Sequence, residues 1–331
     1  MKNLVIGYCV LLSLLYSFTV QAEWHSDTQA IMGTEVSITL WHSDSIKAEK
    51  LIAAGMAEMR RLDSALSPWI ESSEVARVNK LAAKSPQKIS QEMIFLIDKS
   101  LYFSHLTQGA FDITFASVGW FYDYREKKQP SDKQREALLP AINYRWLKLD
   151  KTNATLAFDH ENVRIDLGGI AKGYAVDRVA SILSKAGVEH ATISAGGDSR
   201  IIGDKRGKPW IIGIKNPRDG GKAEAEPAIL LPLESTAIST SGDYERYFVD
   251  EQTGKRVHHI INPRTGKSAE GVVSVTILGP VGSDTDPMST SVFVLGVEKG
   301  LTLVNRLPGF ECVIIDGAGK VFYSDGLMPP D

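Results

Sequence analysis

The early change of hydrophobic period constrains this fold more than any other feature of the chain. Val36, Ile38 and Leu40 alternate with polar neighbours inside Ile31 to Trp41, the pattern of a strand with one buried face. Ile52, Met56, Met59, Leu62 and Leu66 follow at spacings of four, three, three and four, which is one stripe of an amphipathic helix. The switch recurs. A second helix is expected from Ser90, with Glu92 early and Ile94, Ile97 and Leu101 on one face, ending near Gly109. Asn162 to Leu167 reads as a short strand, Gly168-Gly169 as a turn, and the following residues as a helix closed near Gly187. Ala191 to Ser194, Trp210 to Lys215 and Val272 to Leu278 read as strands. Asp286-Pro287 opens a further helix, and Glu311 to Ile315 with Lys320 to Tyr323 form a hairpin around Asp316-Gly317. Pro217 to Pro227 reads as a surface loop. Strands and helices intersperse irregularly, so the expectation is an α+β fold with mixed, largely antiparallel sheets and packed helices. The polar stretch from Arg125 to Pro140, with Pro130 and Pro140, is the best candidate for a sub-domain seam.

The N-terminus bounds the compartment. Lys2 precedes Leu4 to Val20, which is almost wholly apolar and uncharged, and Val20-Gln21-Ala22 has a small-x-small form. This is the layout of a secretory signal peptide over residues 1–22, with the mature chain beginning at Glu23 and a periplasmic location expected. Cys9 lies inside the apolar run behind the bulky Tyr8, which disfavours a lipid anchor. Its loss leaves Cys312 alone, so a disulfide scaffold is excluded, and Cys312 reads as a buried strand cysteine. Formal net charge is −3, or −3 − 1 = −4 without Lys2, and no basic block is present. Nucleic acid is therefore a poor partner. No second apolar run of spanning length follows, so the mature protein is not expected to span a membrane.

Three segments carry candidate chemistry. In Asp166-Leu-Gly-Gly-Ile-Ala-Lys-Gly-Tyr-Ala-Val-Asp177, glycines at a strand-to-helix turn let backbone approach a ligand, and a helix N-terminus offers N–H groups to phosphate. The segment is neither a Walker loop nor G-x-G-x-x-G, and a plain packing turn explains it equally well. In Asp286-Pro-Met-Ser-Thr290, Asp-Pro is ordinary N-cap and N1 chemistry. Asp286 and Thr290 are also four apart, so a carboxylate and a hydroxyl can share one helix end and suit a hard cation such as Mg²⁺. In His258-His259-Ile-Ile-Asn-Pro-Arg-Thr-Gly266, the adjacent histidines cannot share a strand face and make a poor metal pair. One of them beside a tight loop could act as a general base. No H-E-x-x-H, Cys/His cluster or G-x-S-x-G occurs, which disfavours zinc chemistry and α/β-type serine hydrolysis.

Taken in order, Met32-Gly-Thr34, Ser67-Pro-Trp69, Gly109-Ala-Phe-Asp112, the Asp166–Asp177 segment, Ala195-Gly-Gly-Asp198, Thr240-Ser-Gly-Asp-Tyr-Glu-Arg246, the His259 loop and the Asp286–Thr290 helix resemble the ApbE-type FAD:protein FMN transferases across nearly the whole mature chain, 23–331. The resemblance implies a flavin ring near Met32 and Trp69, where relatives often carry Tyr. It implies further FAD contacts at Ala110, Phe111, Asp112, Asp166, Lys172 and the backbone of Ile260, so the FAD site would form where motifs from both halves converge. It implies Mg²⁺ held by the Gly169 carbonyl, Asp286 and Thr290, with His259 assisting the attacking hydroxyl and Lys172 offsetting phosphate charge. Asn262 stands where many relatives carry Asp, and Pro287 where Ala is usual. The implied reaction moves FMN from FAD to a Thr or Ser of an acceptor flavoprotein in a membrane electron-transfer complex, releasing AMP. Rival readings are a Mg²⁺-dependent FAD pyrophosphatase, which differs only in using water as acceptor, and a non-enzymatic periplasmic FAD-binding protein. A thiamine-biosynthetic role rests only on an old family name.

Overall fold

The computed structural model describes residues 23–218 and 226–328. The expected signal segment lies outside these residues, as does most of the expected loop between Pro217 and Pro227. An eight-stranded sheet forms the centre. Its strands are β1 (Glu23–Ile31), β2 (Thr34–His42), β3 (Ala191–Ala195), β4 (Asp198–Ile202), β5 (Ala237–Gly242), β6 (Val272–Gly279), β7 (Glu311–Asp316) and β8 (Val321–Tyr323). They lie side by side in chain order, and every neighbouring pair is antiparallel. The expected α+β class with antiparallel sheets is therefore the observed one.

Residues 43–190 leave the sheet between β2 and β3 and supply most of the helices. These are α1 (Ser45–Leu66), α2 (Glu74–Leu81), α3 (Gln91–Leu106) and α4 (Ala171–Lys185); α5 (Gly282–Leu295) and α6 (Val297–Val304) follow β6. Helix α1 packs over β1 and β2, α4 over β3 and β4, and α5 over β5 and β6, with α4 touching both of the others. The apolar stripe read from the sequence is the buried face of α1: Ile52, Met56, Met59, Leu62 and Leu66 join Val36, Ile38 and Leu40 in one core. Each such burial contributes about 1.5–3 kcal/mol. Ser90 caps α3, its side chain accepting from the Met93 N–H at 3.1 Å. Cys312 is buried in β7. The Arg125–Pro140 stretch contains a short helix, Asp132–Leu138. Near it a second, smaller apolar cluster gathers Val118, Tyr122, Phe248, Val257 and Ile261.

Three local expectations are corrected. The strand expected from Ile31 to Trp41 is two strands: Ile31 ends β1, and Met32-Gly33, both at positive φ (56° and 68°), turn the chain into β2 at Thr34. Asn162 to Leu167 is extended but joins no sheet. Its backbone is satisfied largely by side chains instead: the Ile165 N–H donates to Asn79 Oδ1 at 2.8 Å, the Asn79 amide donates to the Ile165 carbonyl at 2.9 Å, and the Arg164 N–H donates to Ser117 Oγ at 3.0 Å, while the Asp166 N–H donates to the Ile113 carbonyl at 3.0 Å. Helix α5 starts at Gly282, not at Asp286, so Asp286-Pro287 is neither its cap nor its first turn. The cap comes from α4: the Gly282 and Ser283 N–H groups donate to the Asp177 carboxylate at 2.7 and 2.8 Å.

Candidate active site

The site lies where α4 crosses α5, and glycines permit the crossing. A Cβ on Gly173 would stand 2.1 Å from the Gly282 carbonyl oxygen and 2.7 Å from the Asp286 Cβ; one on Gly282 would stand 2.4 Å from the Gly173 carbonyl oxygen. Only bare backbone fits. The approach lets the Gly173 N–H donate to Asp286 Oδ2 at 3.0 Å. The glycine after Lys172 is therefore the residue that brings the Asp286 carboxylate to the glycine turn.

Around that carboxylate the expected residues gather. Lys172 Nζ lies 3.7 Å from Asp286 Oδ2, donates to the Gly168 carbonyl at 3.3 Å, and pairs with Asp198 Oδ2 at 2.7 Å. A Cβ on Gly169 would lie 3.4 Å from Thr290 Oγ1 and 3.2 Å from the Phe111 ring, so Gly169, Thr290 and Phe111 are neighbours. Asp198 sits in the Ala195–Asp198 turn motif, whose sequence alone points to no role for it. It reaches the site because the Gly196-Gly197 turn wedges between β2 and β5, where added Cβ atoms would lie 2.7 Å from Thr34 Oγ1 and 2.5 Å from the Thr240 carbonyl oxygen. Three motifs far apart in sequence thus meet at one turn.

The electrostatics follow from this crowding. Burial first, and the Asp198 charge second, push the Asp286 carboxyl above its usual value, against the pull of Lys172 and the Gly173 N–H. Burial alone would lower Lys172, but Asp198 and Asp286 more than offset it and hold the ammonium above the ordinary lysine value. Burial also pushes Asp166 up, although its carboxylate accepts from the Gly168 N–H at 2.6 Å and feels Arg246 and Lys172. Such a set is stabilised by positive charge. Among the described residues no three His, Cys, Asp or Glu groups form a metal cluster. The donors here are a buried carboxylate, a hydroxyl and the carbonyl-bearing glycine turn, and an ammonium already sits beside the carboxylate. Hard oxygen donors of this kind fit Mg²⁺.

The two histidines separate cleanly. His258 is buried; its ring nitrogens meet the Ala269 carbonyl at 2.8 Å and the Ile260 N–H at 3.4 Å, so its role is to hold the loop. The Ile260 carbonyl in turn accepts from the Ala269 N–H at 2.9 Å. His259 points elsewhere. Its backbone N–H donates to the Arg246 carbonyl at 3.1 Å, and its Nδ1 is buried without a hydrogen-bond partner among the described residues. Burial first, then the Arg246 charge, push its pKa down to about 3.

The remaining expected residues frame the site. The Met32 N–H reaches Asp63 Oδ2 at 3.3 Å in the last turn of α1, and Ser67-Pro68-Trp69 continues from that helix end, so Met32 and Trp69 lie at the same end of α1. Trp69 is 65% exposed and stacks on Trp120 at 4.3 Å with an interplanar angle of 10°. Arg164 lies over the Trp120 ring at 4.9 Å. Ala110 and Phe111 are buried. Asp112 is committed internally: Oδ1 accepts from the Thr114 N–H and hydroxyl at 2.9 and 2.6 Å, and Oδ2 accepts from the Tyr144 N–H at 2.8 Å.

The sequence profile of the ApbE family matches residues 32–314. The chain belongs to the ApbE family. A Klebsiella pneumoniae relative named FAD:protein FMN transferase is 32% identical over 330 residues, covering 96% of this chain and 93% of the relative. One of the same name from Haemophilus influenzae is 31% identical, covering 92% and 91%. Among solved structures, the ApbE protein of Thermotoga maritima superposes with a TM-score of 0.83 at 35% identity, covering 92% of this chain and 98% of that one. The flavin transferase ApbE of Vibrio cholerae gives 0.80 at 27% identity, with the same coverage. No helix among the described residues is long and apolar enough to cross a membrane.

Proposed function

We propose that the chain is a Mg²⁺-dependent FAD:protein FMN transferase, which leaves FMN esterified to a Ser or Thr hydroxyl of an acceptor flavoprotein and releases AMP. The observation that carries this reading is the meeting of Gly169, Asp286 and Thr290 beside Lys172, in a chain whose relatives bear that activity as their name. Gly169, through its carbonyl, Asp286 and Thr290 would hold the metal. When bound it would draw charge from phosphoryl oxygens.

The chain's own groups do the rest. Phosphoryl transfer depends mainly on positioning and charge stabilisation. The acceptor oxygen bonds to the riboflavin-side phosphorus, the bond from that phosphorus to the bridging oxygen breaks, and the electron pair leaves with AMP. The hydroxyl proton passes to His259 and then to solvent. His259 is suited to receive it because burial keeps the imidazole neutral, and phosphates arriving nearby raise its basicity. Lys172 steadies the Asp198–Asp286 pair while the site is filled. The free face of Trp69, opposite Trp120, is open to a flavin ring. Residues 1–22 have the composition of an export signal, which supports a periplasmic location and an acceptor domain of a membrane electron-transfer complex.

The test separates the roles. His259→Ala should bind FAD and transfer FMN at least about a hundred-fold more slowly, in the usual range for loss of a general base. An unchanged rate removes His259 from the mechanism. Full Mg²⁺-dependent activity in Asp286→Ala would remove Asp286 from the metal site.

A further inference from the structure

The proposed reaction brings two phosphates into a site whose obvious cation is already engaged. Lys172 is held by Asp198 at 2.7 Å and faces Asp286 at 3.7 Å. Two arginines whose charge reaches His258 are paired as well. Arg218 makes two contacts of 2.8 Å to the two oxygens of Asp243. Arg256 lies 3.5 Å from the same carboxylate and over the Tyr247 ring at 3.9 Å.

Arg246 differs from all of these. It is exposed, and its guanidinium has no hydrogen-bond or ion-pair partner among the described residues. Yet it is not a stray surface charge. Nη2 lies 3.4 Å from where a Cβ on Gly33 would stand, so the head group rests against the Met32–Gly33 turn. Its backbone carbonyl accepts the His259 N–H at 3.1 Å, which fixes it beside the candidate base. Its charge acts on Asp166, Lys172 and His259 together. The guanidinium thus stands between the turn expected to meet the flavin ring and the metal-binding corner. A planar fork with its donors unengaged matches phosphate oxygens in a way that an ammonium does not.

Resting on the transferase reading, we propose that Arg246 is the phosphate-binding residue of the site and grips the riboflavin-side phosphate, the group that is transferred. This placement predicts a dependence that follows the phosphate rather than the ring. FMN and FAD carry that phosphate, riboflavin lacks it, and AMP carries only the adenosine-side phosphate.

The experiment is calorimetric titration of the mature wild-type chain, Arg246→Ala and Arg246→Lys with FAD, FMN, riboflavin and AMP, at fixed salt and with Mg²⁺ present. Thermal melts of the apo proteins confirm that each variant is folded. Arg246→Ala should weaken FAD and FMN binding by about ten- to a hundred-fold, the usual weight of charge-assisted hydrogen bonds. It should leave riboflavin and AMP within about two-fold, and Arg246→Lys should recover only part of the loss. Unchanged FAD and FMN binding in folded Arg246→Ala would overturn the proposal. So would an equal loss for riboflavin, which would mean that Arg246 only shapes the turn, or a loss confined to AMP. A wild-type chain that binds neither FAD nor FMN would instead reject the transferase reading on which the proposal rests.

Discussion

Replacing Gly173 by alanine would put a methyl carbon 2.1 Å from the Gly282 carbonyl oxygen and 2.6 Å from the Gly282 carbonyl carbon. Ordinary van der Waals contact begins near 3.4 Å, so α4 and α5 must part by about 3.4 − 2.1 = 1.3 Å. Both partners are backbone, so no rotamer change relieves the clash. Overpacking of this kind costs about 1–3 kcal/mol. The shift also breaks the 3.0 Å hydrogen bond from the Gly173 N–H to the buried Asp286 carboxylate, and a bond to a charged group contributes about 1.5–3 kcal/mol. Together the loss is about 2.5–6 kcal/mol, or roughly a 10 °C fall in Tm for a chain of this size. Gly187→Ala is the matched control: it has φ +86° but nothing within 4 Å, so it should cost only about 1 kcal/mol of backbone strain. Urea denaturation measures both, and Mn²⁺ titration of the folded fraction reads the site, where Gly173→Ala should bind metal at least ten-fold more weakly. If Gly173→Ala is as stable as Gly187→Ala and binds metal as wild type does, the close crossing of α4 and α5 is not what positions Asp286.

Three further outcomes are expected. Burial holds both His258 and His259 below the usual histidine value of 6.5, His259 at about 3. The unfolded chain therefore takes up protons that the folded chain refuses: their contribution is fully present above about pH 6.5 and is lost as pH falls toward 3. His259 alone accounts for up to about 5 kcal/mol of that acid limb, so His259→Asn should flatten stability against pH in this window, and an unaltered slope would contradict it. Asp177→Ala removes the carboxylate that caps α5 through the Gly282 and Ser283 N–H groups. It should cost about 2 kcal/mol in urea denaturation, and hydrogen exchange should quicken first at the start of α5. Asn79→Ala leaves the Ile165 N–H and carbonyl without their partner; a loss of about 1–3 kcal/mol is expected, and a neutral effect would mean that water replaces the amide.

What the sequence made legible was whatever had a local period. Helices α1 and α3 and the buried strands β2 and β6 each carry their own pattern. Strand β1 is not legible because its sequence, EWHSDTQAI, is mostly polar, so its alternating exposure is not mirrored by an alternation of apolar residues. Helix α2 buries only Val75 and Val78 in its eight residues, too few to show a stripe. The Asp286-Pro287 start was misplaced because Asp-Pro is a strong local cap signal, whereas the true cap, Asp177, is 105 residues away. The same reason hides Asp198 and Arg246: each sits in a turn motif with an ordinary local explanation, and only the converging backbones of β2, β4 and β5 give them a common neighbour. Lys172 was identified as a phosphate cation, but its pairing with Asp198 is a property of the fold.

The central claim concerns chemistry at the Asp286 corner, and one measurement meets it directly. The mature chain is incubated with FAD, Mg²⁺ and a purified acceptor domain, with and without EDTA, and the acceptor is weighed by mass spectrometry while AMP is followed in solution. The account predicts a mass gain of one esterified FMN on the acceptor, with AMP released in equal amount, and both abolished by EDTA. FMN and AMP appearing free in solution, with the acceptor mass unchanged, would contradict it and make the chain a pyrophosphatase.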